Sequence, residues 1–223
     1  MIEKSLSGIV LTANVFNPSI FTETWLVKNN LVPDDALTGP RIFTQEFAQF
    51  QTSEMQVLVI PPKMQIVFTI GDNGKSDSII EFAARVVDLL PQTPYQALGL
   101  NFDYFVAPPE GHDFQKYNRA LLAGDADGLL KEFSSPDARF GRYFSKNYEE
   151  ARLRLSILPI KDGLEPSKQE ERMKFSFNFS YDVEAVESAE RPKRLVARIN
   201  EWSDLHDYSE RLTKEGSKLT EGT

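Results

Sequence analysis

The sequence predicts an α+β protein: a mostly antiparallel sheet of about eight strands with long amphipathic helices on one face. Three observations predict it. Apolar and polar residues alternate with a period of two along much of the chain, most cleanly in Met173, Phe175, Phe177, Phe179, Tyr181 and Val183. Two stretches instead carry apolar residues at helical spacing: Ile79, Ile80, Ala83, Val86, Val87 and Leu90, and then Leu195, Ile199, Trp202, Leu205, Tyr208 and Leu212. The predicted strands also follow one another in runs, with proline-marked ends such as Pro61-Pro62-Lys63.

The first predicted element is a strand in which Ile9, Leu11, Ala13 and Val15 alternate with Val10, Thr12 and Asn14. Asn17-Pro18-Ser19 interrupts it, and Ser19 is placed to cap a helix over Ile20–Leu31. After a loop with Pro33-Asp34-Asp35 and Gly39-Pro40, strands are predicted at Phe43–Thr52, Met55–Ile60 and Met64–Ile70. Gly71-Asp72-Asn73-Gly74 is a turn. Ser76 or Asp77 caps the first long helix, and Pro91 stops it.

Leu98, Leu100, Phe102, Tyr104 and Val106 form the next strand, ended by Pro108-Pro109. A helix over Phe114–Leu122 and a short one over Ala126–Phe133 follow. Strands are predicted at Arg139–Lys146 and Ala151–Ile157, and a polar, proline-bearing loop over Lys161–Arg172. The Phe-rich strand then leads into a final helix with Pro192 in its first turn. Lys214–Thr223 is expected to fray.

The bulk composition narrows the classes. The chain has 223 residues, no cysteine and a net charge of −8. That excludes a disulfide scaffold, thiolate metal ligands and a cysteine nucleophile. The negative charge disfavours non-specific binding to nucleic acid or anionic membrane. The longest apolar runs, such as Val57–Pro62, are too short to span a bilayer, and the first residues lack the pattern of a signal peptide. A cytoplasmic protein is expected.

Residues 1–92 and 93–223 repeat one order of elements: strand, helix, three strands, long helix. Leu58-Val59-Ile60-Pro61 corresponds to Ser156-Ile157-Leu158-Pro159, and Met64-Gln-Ile-Val-Phe to Met173-Lys-Phe-Ser-Phe. This is a tandem β-α-β-β-β-α pseudo-repeat whose element order resembles the tandem fold of the TATA-binding protein or a helix-grip fold. The resemblance covers order alone. No motif of either family is present, so it implies no function and no site residue.

Chemistry-bearing motifs are scarce. The two histidines, His112 and His206, are each followed by an aspartate and an aromatic residue. Neighbours on a helix point apart, and His206 reads as a partly exposed helix residue. Gly71-Asp72-Asn73-Gly74-Lys75-Ser76 ends like a phosphate loop, but its glycines lack the required spacing. Asp125 and Asp127 resemble a fragment of a calcium loop, but Glu132 is too close to end the required twelve-residue pattern, and Asp125 suits an N-cap. No catalytic residue, cofactor or metal site is expected.

Two surfaces stand out. Asn101 and Asp103 share a face of one strand and, with Asn14, Thr12 and His112, are candidates for a polar recognition face. Arg139, Arg142, Lys146, Arg152 and Arg154 interleave with Phe140, Tyr143 and Phe144, which suits single-stranded nucleic acid only if the five cations form one contiguous face. The leading expectation is a non-catalytic protein-interaction or assembly module, with a protein partner or a second copy. It would act through the sheet face, the helices or the 161–172 loop. One alternative is a small-molecule-binding or hydrolytic domain with a pocket between sheet and helices, using Asp103, His112 or Tyr104. The other is the nucleic-acid clamp.

Overall fold

The computed structural model describes residues 2–68, 77–123, 127–162 and 170–218. Its strands are β1 (Ile2–Ala13), β2 (Thr38–Phe43), β3 (Ala48–Gln51), β4 (Met55–Ile60), β5 (Lys63–Phe68), β6 (Tyr95–Val106), β7 (Arg142–Tyr148), β8 (Ala151–Asp162) and β9 (Glu170–Asp182). Its helices are α1 (Glu23–Lys28), α2 (Asp77–Leu89), α3 (Phe114–Leu122), α4 (Asp127–Glu132), α5 (Arg191–Ile199) and α6 (Trp202–Gly216). The nine strands form one open sheet in the order β2-β3-β4-β5-β1-β6-β9-β8-β7. Every pairing is antiparallel. The fold is therefore α+β, with nine strands in the sheet among the described residues where about eight were expected.

Alternation decides which face each side chain takes. On the covered face lie Ile9 and Leu11 of β1, Met64, Ile66 and Phe68 of β5, Leu98, Leu100, Phe102 and Tyr104 of β6, and Met173, Phe175, Phe177, Phe179 and Tyr181 of β9. Ile79, Phe82, Ala83, Val86 and Val87 of α2 and Leu195 and Ile199 of α5 pack on them in a single core. Trp202 ties its middle together. Its ring stacks on Phe68 at 5.0 Å and meets Phe102 at 4.5 Å. The other face of the sheet carries the alternate residues, most of them half-buried or exposed.

Four elements differ from expectation. The strand over Phe43–Thr52 is a hairpin of β2 and β3. Thr44 closes its turn: the hydroxyl donates to Phe47 O and accepts from Phe47 N–H. The helix over Ile20–Leu31 is one short α1 after a 3-10 turn at Pro18–Ile20. Thr22 rather than Ser19 caps it, accepting from Trp25 N–H. Asn30, at φ 52°, ends it, with Asn30 N–H bonded to Val27 O and Leu31 N–H to Leu26 O.

The final helix is two. Asn200 and Glu201 separate α5 from α6, which rotates the buried stripe of α6 onto Trp202, Leu205, His206, Ser209 and Thr213. The hydroxyls of Ser209 and Thr213 fit in the core because each donates to the carbonyl four residues earlier. Helix α6 also extends through Gly216, into the stretch expected to fray.

Both ends of the 161–172 loop are strand. β8 and β9 stay paired through Ile160↔Arg172, Lys161↔Glu171 and Asp162↔Glu170. Residues 163–169, the 71–76 turn and Asp125 lie outside the described residues, as do the side chain of Asp127 and the chain end beyond 218.

Candidate functional site

The open face of the sheet carries a groove of about 480 Å³ over β1, β6, β9 and β8. Its floor follows from register. Arg154 of β8 lies opposite Asn178 of β9, Asn178 opposite Asn101 of β6, and Asn101 opposite Gly8 of β1. These four residues form one hydrogen-bonded ladder across four strands. Arg154 Nη1 donates to Asn178 Oδ1 at 3.2 Å. Asn178 Nδ2 donates to Asn101 Oδ1 at 2.8 Å, and Asn101 Nδ2 reaches Gly8 O at 3.4 Å.

Glycine at position 8 is required by a close approach. A β-carbon there would lie 2.8 Å from Ile66 O. One row along the strands, Tyr143, Ser156, Ser176 and Asp103 stand side by side. Asp103 pairs with Lys174 at 2.9 Å, and both side chains are about a third exposed at most (27 and 32%). The hydroxyls of Tyr143, Ser156 and Ser176 have no protein hydrogen-bond partner among the described residues, so they face the groove as available donors and acceptors.

The expected recognition face is half assembled. Asn101 and Asp103 line the groove together. Asn14 and His112 do not join them. Asn14 follows the end of β1, its N–H bonded to Pro94 O before β6 begins. His112 sits in an exposed turn beyond the other end of β6, its Nδ1 3.3 Å from Glu110 O. The twelve residues of β6 that separate them span about 40 Å. The rest of the face could be found only from strand register, because Asn178, Ser176, Ser156 and Arg154 lie far from Asn101 in sequence.

The other proposed groups are dispersed. Tyr104 points to the covered face, where its hydroxyl donates to His206 O at 3.1 Å. Burial pushes that phenol up, aided by the nearby carboxylates of Glu210 and Asp207. Tyr104 therefore shares no pocket with Asp103, which faces the opposite way, or with His112. His206 is buried rather than partly exposed, its ring between Phe102 and Tyr104, because α6 is rotated relative to α5.

The chain matches no protein-family model and no curated protein.

The five cations do not form one face. Arg152 and Arg154 lie on the open face. Lys146 points to the helices, where its ammonium donates to Tyr208 Oη at 2.9 Å. Arg142 Nε donates to Leu122 O on that same side. Arg139 forms a two-pronged pair with Glu171 at 2.9 and 2.8 Å and lies over the Phe114 ring. Strand alternation accounts for the split: residues of even number on β7 and on β8 take opposite faces.

A second groove, about 410 Å³, lies between the helices and the far end of the sheet. Leu122, Phe144, Leu155, Ile157, Phe175 and Leu212 line it. Among the described residues no group of three or more His, Cys, Asp or Glu is placed to hold a metal ion, and no helix is long and apolar enough to cross a membrane.

Proposed function

We propose that the protein is a non-catalytic interaction or assembly module of the cytoplasm that works through the open face of its sheet, with a protein or a second copy of itself as partner. The observation that carries this reading is the ladder from Arg154 to Gly8. It sets a row of fixed amide and guanidinium groups in a groove across the middle of an uncovered sheet, beside hydroxyls that keep their bonding capacity. Two polar asparagines aligned across neighbouring strands are a recognition surface with defined register. A merely solvated face needs no such order.

The tandem β-α-β-β-β-α pseudo-repeat, with element order like that of the TATA-binding protein or a helix-grip fold, belongs to the same reading. Its support is the strand order, with β1 and β6 adjacent, β5-β4-β3 flanking one side and β9-β8-β7 the other. The groove lies across the junction of the two halves.

The test is mass by light scattering, for the protein alone and with material recovered from its native lysate, repeated with Ser176→Trp. The expected result is a defined oligomer or a stoichiometric complex that Ser176→Trp abolishes while the melting temperature holds. A monomer that captures no protein, or a complex indifferent to Ser176→Trp, would refute the reading.

A second reading has its own observation, the apolar groove beside Phe144 and Leu212. It makes the protein a binder of a small apolar ligand between sheet and helices. A lipid-like ligand that raises the melting temperature of the wild type but not of Leu155→Arg would favour it.

A further inference from the structure

Among the described arginines, ten either meet a carboxylate or donate to a backbone carbonyl. Arg41 pairs with Glu23, Arg139 with Glu171, Arg172 with Glu3, Arg194 and Arg198 with Glu150, and Arg211 with Glu215. Arg85, Arg119, Arg142 and Arg191 donate to main-chain oxygens. Arg152 and Arg154 differ. Each is exposed on the open face, and each is held by one side-chain amide oxygen, Arg152 by Asn147 at 3.0 Å and Arg154 by Asn178 at 3.2 Å. Neither has an acidic partner among the described residues.

An amide oxygen orients a guanidinium without neutralising it. Each arginine keeps its remaining N–H donors, in a fork that matches a carboxylate. In a chain of net charge −8, two unneutralised guanidiniums on one face of one strand are a local reversal of sign. The nearest acid in the groove, Asp103, is already occupied by Lys174.

We propose that Arg152 and Arg154 are a paired carboxylate receptor, and that the partner seated on the open face presents an acidic segment with carboxylates along one side. Two observations carry this. Both guanidiniums stand on one face of β8 without an acidic partner among the described residues, and the amides that hold them, Asn147 of β7 and Asn178 of β9, draw them to opposite sides of the strand, so that they offer two separate positions for carboxylates. Ser156, next along β8, and Ser176 beside it supply hydroxyls to the main chain of such a segment. A phosphate polymer fits less well. A phosphate backbone is charged at every nucleotide, which two guanidiniums on a chain of net charge −8 do not match, whereas a peptide segment can present as few as two carboxylates. The inference rests on the open-face reading of the previous subsection and adds the chemistry of the partner.

The experiment uses the full chain and a fluorescein-labelled synthetic peptide with glutamate at every second position and valine or threonine between. Its control replaces each glutamate by glutamine. Anisotropy should show binding of the glutamate peptide that weakens as salt rises from about 50 to about 500 mM. The glutamine peptide should bind roughly tenfold more weakly or worse, about 1.4 kcal/mol. Arg152→Gln with Arg154→Gln should lose at least as much with an unchanged melting temperature, and Arg211→Gln should lose nothing.

Equal binding of the two peptides, or binding that ignores the double substitution, would overturn the proposal. So would a single-stranded oligonucleotide that binds more tightly than the peptide and depends on the same arginines. Should the peptide fail while Ser176→Trp still abolishes the complex or oligomer, the acidic-partner inference falls and the open-face reading stands. Should Ser176→Trp leave the assembly intact, the open-face reading falls instead.

Discussion

Asn118 holds Phe140 by both of its main-chain groups: its Nδ2 donates to Phe140 O at 2.8 Å, and its Oδ1 accepts from Phe140 N–H at 2.8 Å. A fully buried side chain on α3 thus acts as one more rung of the sheet just before β7 begins. The geometry also fixes which way the amide points, since the reverse would set donor against donor. Asn118→Ala should cost about 2–3 kcal/mol, because the main-chain N–H and C=O of Phe140 lose their partners. Asn118→Asp keeps the acceptor, loses the donor and buries a charge, so it should be no better. Urea unfolding measures both. A loss for Asn118→Ala below about 0.5 kcal/mol would mean that water replaces the amide without penalty.

Glu149 adopts φ 50° in the two-residue turn between β7 and β8, where Tyr148 pairs with Ala151. A non-glycine residue there is strained by about 1–2 kcal/mol, and glycine relieves it at some cost in chain entropy. Glu149→Gly should therefore stabilise the protein by roughly 0.5–1 kcal/mol. Glu150→Gly should not, because the Glu150 carboxylate joins the turn to Arg194 and Arg198 of α5. Thermal unfolding of the two variants should separate in opposite directions. Two variants that destabilise alike would show that Glu149 contributes contacts outweighing its strain.

The elements that were legible in the sequence are those whose packing follows one strict period. Met55–Ile60 and Phe114–Leu122 are found where the alternation and the helical spacing put them, and the Phe-rich stretch is β9. The misread boundaries lack a glycine or proline at the decisive turn. Thr44 closes a hairpin through its hydroxyl, and Asn30 ends α1 in a conformation usually taken by glycine. In α6, buried Ser209 and Thr213 look polar to any pattern and are buried only because their hydroxyls are satisfied within the helix. The groove was half legible. Asn101 and Asp103 share a strand face by parity alone, whereas their neighbours Asn178, Ser176 and Arg154 are brought to them by the register of β8 and β9.

Gly8 and Gly99 separate a close approach from mere absence of a side chain. A β-carbon at position 8 meets the Ile66 carbonyl at 2.8 Å, a main-chain atom that moves only if β1 and β5 part. At position 99 the nearest atoms are the Asn178 and Asn101 side-chain amides at 3.4 and 3.5 Å, an ordinary contact. Gly8→Ala should cost about 1–3 kcal/mol, and Gly99→Ala less than about 1 kcal/mol. Chemical denaturation decides it. Equal costs at both sites would remove the steric account of Gly8.

Burial pushes the phenols of Tyr95, Tyr104, Tyr117 and Tyr181 up, that of Tyr117 to about 12, and for Tyr181 the Glu201 carboxylate it donates to at 2.8 Å acts in the same direction. A phenol with a raised value in the folded chain holds its proton where the unfolded chain, with its value near 10, has lost it. The unfolded state then binds fewer protons, so stability falls as pH rises. The contribution is fully present below about pH 10 and, for Tyr117, is lost progressively up to about 12. Urea unfolding from about pH 8 to about pH 11.5 should show a plateau and then a decline whose slope exceeds one proton per molecule. Tyr117→Phe should make the decline shallower by up to one proton while removing the bond from the hydroxyl to Ser217 O at 2.9 Å. Ultraviolet titration of the folded protein gives the independent check. If these four phenols ionise near 10 in the folded state and stability stays flat, their burial does not govern the alkaline limit of the fold.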